Sequence, residues 1–394
     1  MVKSRRFIYL HITFFLLLIY AYQDIKSSAN IGLRDADRSM VHLMLFIVIV
    51  VLGIYFIYTL FTKGIVLDSI KCSLWLITGW MLFVSIIQGA DAWLTTVQLG
   101  LSVLWIFIYH FGKNYFVVNQ KAWLVIMKWM VVLFLFYVFS SVYAIYNISS
   151  TYGKIPVINL SYYVIVFFPW ISLMSNKTIK NMFYLFILII VLVSFKRGAI
   201  IVFPLMLITY SLTKAKIEKR KITGIGKTIL IVVSFLCGLL IVDSFTGGFL
   251  FNRFIPEALS TGSGRSTLYS YALDNIMNRS FIDLMIGYGC GSSVQYLGTS
   301  AHNEWLEFTF NFGIIGLILY AVLLFNLLFR GRRLIKERSS YSPAYMAIMT
   351  YMFIVGLYGS FYFTHSTLYV MAFFGVVEGL TINEKRVKKE EGVV

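Results

Sequence analysis

The sequence predicts an all-α polytopic membrane protein with about twelve transmembrane helices, and its composition carries that prediction. Of the 394 residues, 59% are apolar and only 13% are charged, against roughly 25% charged residues in soluble domains. The mean hydropathy is +0.81. A soluble globule of this composition would expose a large apolar surface to water. Soluble, disordered, fibrous and disulfide-scaffold classes are therefore excluded.

Long runs without charged residues mark the predicted spans. A helix needs about 20 residues to cross a hydrocarbon layer roughly 30 Å thick. The last run is too long for one crossing, so it must turn near residues 359–366, and it supplies two spans. The runs are 7–23, 39–62, 72–90, 92–112, 129–153, 155–176, 181–195, 198–213, 228–242, 308–329 and 339–377.

The distribution of basic residues predicts the orientation of these spans. With a cytoplasmic N-terminus and alternating spans, 25 of the 34 lysines and arginines fall on the cytoplasmic side, as the positive-inside rule requires. Both termini are then cytoplasmic. The net charge of +17 reflects membrane topology, and nucleic acid is not a predicted partner.

Three segments follow from this topology. Residues 1–245 hold transmembrane helices 1–9, and residues 246–301 form a large periplasmic loop. Residues 302–394 hold helices 10–12 and a basic cytoplasmic tail. Within the loop, apolar residues at helical spacing over 265–279 predict a short amphipathic helix on the membrane face or on the helix bundle.

Lys196 and Arg197 lie in a turn between two short apolar runs, so we expect them near the outer headgroup level. Basic residues there oppose the positive-inside bias, and their burial is costly. One interpretation is that they reach out to lipid phosphates. The other is that they bind the phosphates of a lipid-linked substrate, for which the planar arginine side chain is well suited.

Two glycine-containing segments in the loop are candidate anion sites. Arg265 follows Gly264 at the start of the predicted helix, where a guanidinium and free backbone N–H groups meet; an ordinary surface helix is the alternative. The alternate glycines of Gly287-Tyr-Gly-Cys-Gly291 could form a phosphate nest, but a tight turn is favoured. Arg279 is a further candidate for substrate binding.

A polar face opens the helix that follows the loop. At about 100° per residue, Asn303, Glu304, Glu307 and Asn311 share one face. Polar residues in the first turns of a membrane helix are expected to face a cavity. His302 stands at its mouth, where the neighbouring carboxylates would raise its basicity and suit it to be a general base. A structural role for this histidine is the alternative.

His302-Asn303, followed after nine residues by Gly313-Ile-Ile-Gly316, resembles the His-Asn-x9-Gly-x-x-Gly pattern of the O-antigen ligase and O-antigen polymerase (Wzy) superfamily. The turn at 196–199, Arg265 and the glycine loop at 287–289 stand in the order that this family shows. The resemblance covers residues 194–328, whereas the N-terminal half matches only in being helical spans.

The resemblance implies a GT-C-like fold and an inverting glycosyl transfer without metal or other cofactor, on the periplasmic face of a bacterial inner membrane. It implies that Arg197 and Arg265 bind the pyrophosphate of the donor and that His302 takes or positions the proton of the acceptor hydroxyl. Whether Lys196 shares the phosphate role stays open, because Phe195-Lys196 stands where related turns often have Ser before Arg. The substrate-binding candidates are Lys196, Asn303, Glu304, Glu307 and Arg279.

Three functions remain open at this point. A polymerase would join undecaprenyl-pyrophosphate-linked oligosaccharides, as donor and acceptor, into a surface polysaccharide, with a chain-length regulator protein as partner. A ligase would transfer the glycan to lipid A–core to complete lipopolysaccharide. A transporter of lipid-linked sugars would be expected to show internal repeats and polar residues at the bilayer midplane, which the sequence does not show. The polymerase is favoured.

Overall fold

The computed structural model confirms an all-helical membrane protein. Helices make up 85% of the structure. Among the described residues, seven helices are long and apolar enough to cross a bilayer. The structure describes residues 2–27, 39–64, 67–89, 92–118, 120–153, 155–219, 221–255, 265–359, 361–362, 364 and 367–390.

The helices of the first part of the chain precede the predicted loop. They are α1 (Val2–Ser27), α2 (Ser39–Lys63), α3 (Ser69–Ile87), α4 (Ala92–Val118), α5 (Trp123–Tyr152), α6 (Leu160–Ile165), α7 (Phe168–Ser172), α8 (Lys177–Val193), α9 (Arg197–Ile217) and α10 (Lys221–Phe245).

The second part contains four short helices and then three long ones. They are α11 (Phe249–Asn252), α12 (Arg265–Met277), α13 (Phe281–Ile286), α14 (Ser292–Leu297), α15 (Glu304–Lys336), α16 (Ser342–Tyr358) and α17 (Thr367–Glu390).

Two of the apolar runs are each divided between two helices. The run 155–176 is divided between α6 and α7, with Pro169 in the first turn of α7, a position that tolerates proline because the missing N–H has no helical partner there. The final run 339–377 does divide, because α16 ends at Tyr358 and α17 begins at Thr367. Most of the predicted turn residues between them, including His365, lie outside the described residues.

Helices α4 and α17 approach each other most closely at glycines. A Cβ on Gly375 would lie 2.4 Å from the Tyr109 carbonyl oxygen, and one on Gly379 would lie 2.4 Å from that of Lys113. A Cβ on Gly112 of α4 would in turn lie 2.9 Å from the backbone nitrogen of Val376. Small residues spaced four apart allow such backbone contact between membrane helices.

The long helix α15 is broken at Gly313. This residue has φ of 65° and ψ of −171°, a conformation that is essentially restricted to glycine. The break releases carbonyl groups that an unbroken helix would pair internally. Trp80 of α3 donates its indole N–H to the Phe312 carbonyl at 2.9 Å.

The loop that precedes α15 satisfies the remaining carbonyl groups at the break. The backbone N–H of Gly289 donates to Asn311 at 2.7 Å and that of Tyr288 to Phe310 at 3.3 Å. A Cβ on Gly287 would lie 2.4 Å from the Gly313 nitrogen, so only glycine permits this contact. The loop is thus built into the bundle.

The predicted amphipathic helix is present as α12. It buries Ala272 and Ile276 and leaves Met277 78% exposed. Residues 256–264, which include the glycines before Arg265, lie outside the described part of the chain.

Candidate active site

A cavity of about 310 Å³ lies at the end of the bundle where α9 and α15 begin and α16 ends. This volume is at the lower end of the range of ligand pockets. It brings together three predicted site residues from motifs that are far apart in the chain. The charged and aromatic residues that line it are Lys196, Arg265, His302, Tyr162, Tyr163, Tyr351 and Tyr358.

The turn before α9 separates Lys196 from Arg197. Phe195 has a positive φ of 48°, which reverses the chain and leaves Lys196 as the N-cap residue of α9. The Arg197 Nη1 atom donates to the carbonyl oxygen of Arg253 at 2.8 Å, and Arg253 Nη1 donates back to that of Phe195 at 2.5 Å. Lys196 lines the cavity, whereas Arg197 holds the turn against α11.

Lys196 is placed in an unusually positive environment. Burial is the main cause that lowers the pKa of Lys196 to about 8, and the positive charges of Arg265, Arg253 and Arg197 contribute to the same shift. Within the described ranges, neither Lys196 nor Arg265 has a carboxylate within 4.0 Å. Among the residues that the structure describes, no ion pair neutralises the positive charge at this end of the cavity.

Arg265 is the first residue of α12 and lines the cavity opposite α16. Its Nη1 atom donates to the Tyr358 carbonyl oxygen at 3.0 Å. A guanidinium carries five N–H donors, so one bond to the backbone orients the group and still leaves donors for an anion. The predicted position of Arg265 at a helix start is confirmed.

His302 forms part of the cavity wall in a constrained backbone conformation. Its φ is 51°, and its carbonyl oxygen accepts a bond from the Tyr269 hydroxyl at 3.0 Å. Partial burial lowers the pKa of His302, and Arg265 and Lys196 lower it further. The expected increase in basicity from neighbouring carboxylates is therefore wrong, because the charges that face this imidazole are positive.

The carboxylates of Glu304 and Glu307 are buried in protein rather than open to the cavity. Glu304 accepts from the Tyr362 backbone N–H at 2.9 Å. Glu307 accepts from the hydroxyl of Ser293 and from the backbone N–H of Ala301 at 2.8 Å. The predicted polar face is present on α15, but the loop before α15 and the segment before α17 cover it.

Asn303 caps the start of α15. Its Oδ1 atom accepts from the backbone N–H groups of Trp305 at 3.0 Å and Leu306 at 3.1 Å. Its amide nitrogen donates to the Leu357 carbonyl oxygen at 3.0 Å. Asn303 therefore joins the start of α15 to the end of α16, next to His302, and it does not itself line the cavity.

Arg279 lies outside the cavity, against the break in α15. Its guanidinium carbon is 3.8 Å from the centroid of the Tyr288 ring and 4.1 Å from that of Phe310. Its Nη1 atom donates to the Phe310 carbonyl oxygen at 3.0 Å. This predicted substrate-binding residue thus contacts the broken helix.

The glycine loop at 287–291 forms a tight turn. The backbone N–H groups of Tyr288 and Gly289 bond to α15, as described above. The N–H of Cys290 donates to the Ser85 hydroxyl at 3.1 Å, and that of Gly291 donates to the side-chain Oε1 atom of Gln98 at 2.9 Å. Because these N–H groups already have protein acceptors, the loop is not available as a phosphate nest.

The tyrosines of the cavity wall were not predicted from the sequence. The hydroxyl of Tyr358 donates to the Gly198 carbonyl oxygen at 2.9 Å. A Cβ on Gly198 would lie 1.9 Å from the Tyr162 hydroxyl and 2.3 Å from the Tyr358 ring. The glycine after Lys196-Arg197 was the available signal, since a glycine at the start of a helix allows close approach of other groups.

Comparison of the sequence with protein-family models and with curated proteins gave no match. Two cations with no carboxylate of the described chain within 4.0 Å favour an anion with several oxygens. The imidazole beside them is able to accept a proton at neutral pH because its pKa is lowered. Aromatic side chains complete the cavity.

Proposed function

We propose that this protein is a glycosyltransferase that joins undecaprenyl-pyrophosphate-linked oligosaccharides into a surface polysaccharide, as an O-antigen polymerase does. The supporting observation is the cavity in which Lys196, Arg265 and His302 come together, with no carboxylate of the described residues within 4.0 Å of either cation. A pyrophosphate is the leaving group that such a cavity would stabilise.

The reaction assigns one role to each of these groups. The acceptor hydroxyl attacks the anomeric carbon of the donor, the new glycosidic bond forms, and the bond to the pyrophosphate oxygen breaks. His302 accepts the hydroxyl proton as general base. Lys196 and the guanidinium of Arg265 bind the departing pyrophosphate. Arg197 acts indirectly, because it holds the turn that directs Lys196 into the cavity.

The proposed topology places this cavity at the periplasmic face. In this topology the protein lies in the bacterial inner membrane with twelve spans in a GT-C-like arrangement. Both termini are cytoplasmic, and segment 246–301 is periplasmic. Single cysteines can be introduced at Met277 and Lys216 after the native cysteines are replaced. A membrane-impermeant maleimide should label position 277 on intact cells and position 216 only after permeabilisation. The reverse pattern would overturn this orientation.

The donor interaction can be tested before the sugars are known. Undecaprenyl pyrophosphate should bind the purified protein in nanodiscs more tightly than undecaprenyl monophosphate. Lys196→Gln and Arg265→Gln should each weaken binding about tenfold to a hundredfold, since hydrogen bonds to charged groups contribute roughly 1.5–3 kcal/mol. Lys216→Gln, an exposed lysine at the other end of α9, is the matched control. Equal affinity for both lipids would contradict the proposal.

The reaction is tested in membranes that lack this protein but make their own lipid-linked repeat units. Adding the purified protein should produce a ladder of longer lipid-linked chains, and His302→Ala should produce none while donor binding survives. If no ladder forms and transfer occurs only when lipid A–core is added, the protein is a ligase instead. Activity lost with EDTA and restored by Mg²⁺ would overturn the expected independence of metal ions.

A further inference from the structure

A second cavity lies at the opposite end of the helix bundle. It encloses about 400 Å³ among the ends of α7 and α9, the starts of α5 and α8, and the turn before α16. Helix α9 joins the two cavities, since it begins beside Lys196 and carries Lys214 in its last turn. At about 1.5 Å per residue, roughly 25 Å separates them along this helix, close to the ~30 Å thickness of the hydrocarbon layer.

The walls of the second cavity combine two lysines with three aromatic rings. The lysines are Lys180 and Lys214, and the rings are those of Trp123, Tyr210 and Tyr341. Aromatic side chains of this kind are enriched where membrane proteins meet the headgroup region. The composition and the distance from the first cavity both place the second one at the other membrane interface.

The two ammonium groups retain capacity for an anion. The Lys180 Nζ atom donates to the carbonyl oxygen of Met174 at 3.2 Å, and an ammonium has three hydrogens to donate. The Lys214 Nζ atom is 3.9 Å from a carboxylate oxygen of Glu218, in a partly exposed pair, where interactions are weak. Glu218 is the acidic group in the wall, so the lysines leave a positive balance.

We propose that this second cavity binds the phosphate headgroup of an anionic phospholipid from the leaflet opposite the first cavity. The phosphate would be held by Lys180 and Lys214, and the aromatic rings would pack against the glycerol and the upper acyl chains. Basic pockets between transmembrane helices are a known way of binding anionic headgroups. The proposal does not depend on the glycosyltransferase function, because it concerns a different cavity and a different lipid.

Lipid retention tests this proposal directly. The full-length protein is purified in detergent and mixed with phosphatidylglycerol or phosphatidylcholine, and bound lipid is measured by native mass spectrometry. Phosphatidylglycerol should be retained preferentially. The double variant Lys180→Gln/Lys214→Gln should lose at least about tenfold in affinity, since each lysine near an anionic headgroup contributes roughly a fivefold gain in binding. Thermal unfolding of the same samples checks that the variant is folded.

The matched control removes the same charge from the same two helices. Lys177 of α8 and Lys216 of α9 are exposed and do not line the cavity, so Lys177→Gln/Lys216→Gln should retain phosphatidylglycerol as the unmodified protein does. Equal losses in both double variants would overturn the site in favour of general surface attraction. Displacement of phosphatidylglycerol by millimolar inorganic phosphate would overturn the assignment to a lipid.

Discussion

Lys196 and Arg197 are neighbours in the chain, but their side chains lie in different places. The positive φ of Phe195 and the two bonds exchanged with Arg253 leave Lys196 in the cavity wall and turn Arg197 away from it. A family pattern that assigns phosphate binding to the arginine does not distinguish these positions. The distinction arises from how the turn is held.

The first prediction separates the direct role proposed for Arg265 from the indirect role proposed for Arg197. Arg265→Lys should weaken undecaprenyl pyrophosphate binding about tenfold, because lysine lacks the planar fork that binds phosphate in two places. Arg197→Lys should retain most of the binding, since a single donor still reaches the Arg253 carbonyl group. Titration of both variants with the lipid measures the difference, and equal losses would return Arg197 to direct phosphate binding.

The second prediction concerns the pH dependence of kcat/KM. Because the pKa of His302 is lowered, this proposed general base should become protonated only below about pH 6.5, the ordinary histidine value. The pKa of about 8 for Lys196 means that the free protein loses this positive charge as the pH rises through 8. The profile should therefore fall on both sides.

Substitutions of Lys196 test which residue causes each limb of this pH profile. Lys196→Arg should move the basic limb to higher pH, because arginine keeps its charge. Lys196→Gln should move the acid limb upward, because it removes one of the charges that lower the pKa of His302. Rate profiles over pH 5 to 9 would measure both, and a basic limb that stays near pH 8 in Lys196→Arg would exclude Lys196 as its source.

At the scale of a single element, α15 combines a capped start with a break at Gly313. Asn303 and the buried Glu307 fix the start, next to His302. The break lets the preceding loop bond to carbonyl groups that the helix would otherwise use. The sequence pattern from His302 to Gly316 therefore also has a structural role. It positions His302 at one end and the preceding loop at the other.

The element-scale prediction is that Gly313→Ala strongly destabilises the protein. Alanine would adopt an unfavourable backbone conformation, at a cost of about 1–3 kcal/mol, and its Cβ would lie 2.2 Å from the Met285 carbonyl oxygen. Gly226→Ala in α10 is the control, because nothing lies within 4 Å of a Cβ there. Thermal unfolding in detergent should show a lower midpoint for Gly313→Ala alone. Equal unfolding midpoints for the two variants would mean that the break in α15 does not require glycine at position 313.

At the scale of the whole molecule, the close packing of α4 on α17 joins the first half of the chain to its last helix. The backbones meet at Gly112, Gly375 and Gly379. Membrane helices gain little from apolar burial because lipid is equally apolar, so close van der Waals packing contributes much of their association. These glycines are therefore expected to determine the stability of the bundle.

Gly375→Ala tests this expectation. The added Cβ would lie 2.4 Å from the Tyr109 carbonyl oxygen, and the helices would have to separate, at a cost of about 1–3 kcal/mol. Gly79→Ala in α3 adds the same group where nothing lies within 4 Å and should leave the unfolding midpoint unchanged or slightly higher, since alanine favours helix. If the two variants unfold together, the contact contributes little to stability.

The helical membrane architecture and the helix that begins at Arg265 follow from local features of the chain. Apolar composition and run length require helices because backbone groups in lipid must be paired within the segment. Lys196, Arg265 and His302 could likewise be selected as site residues from the sequence, because cations and a histidine near the ends of apolar runs are rare and costly.

Other features depend on contacts between residues far apart in the chain. Glu304 and Glu307 look equally suited to a substrate site until Tyr362 and Ala301 are found bonded to them. The tyrosines of the cavity wall, the inward direction of Lys196 and the lowered pKa of His302 arise in the same way. Periodicity and hydropathy describe one segment at a time, whereas the partners of a buried polar group come from whichever segments the packed bundle brings beside it.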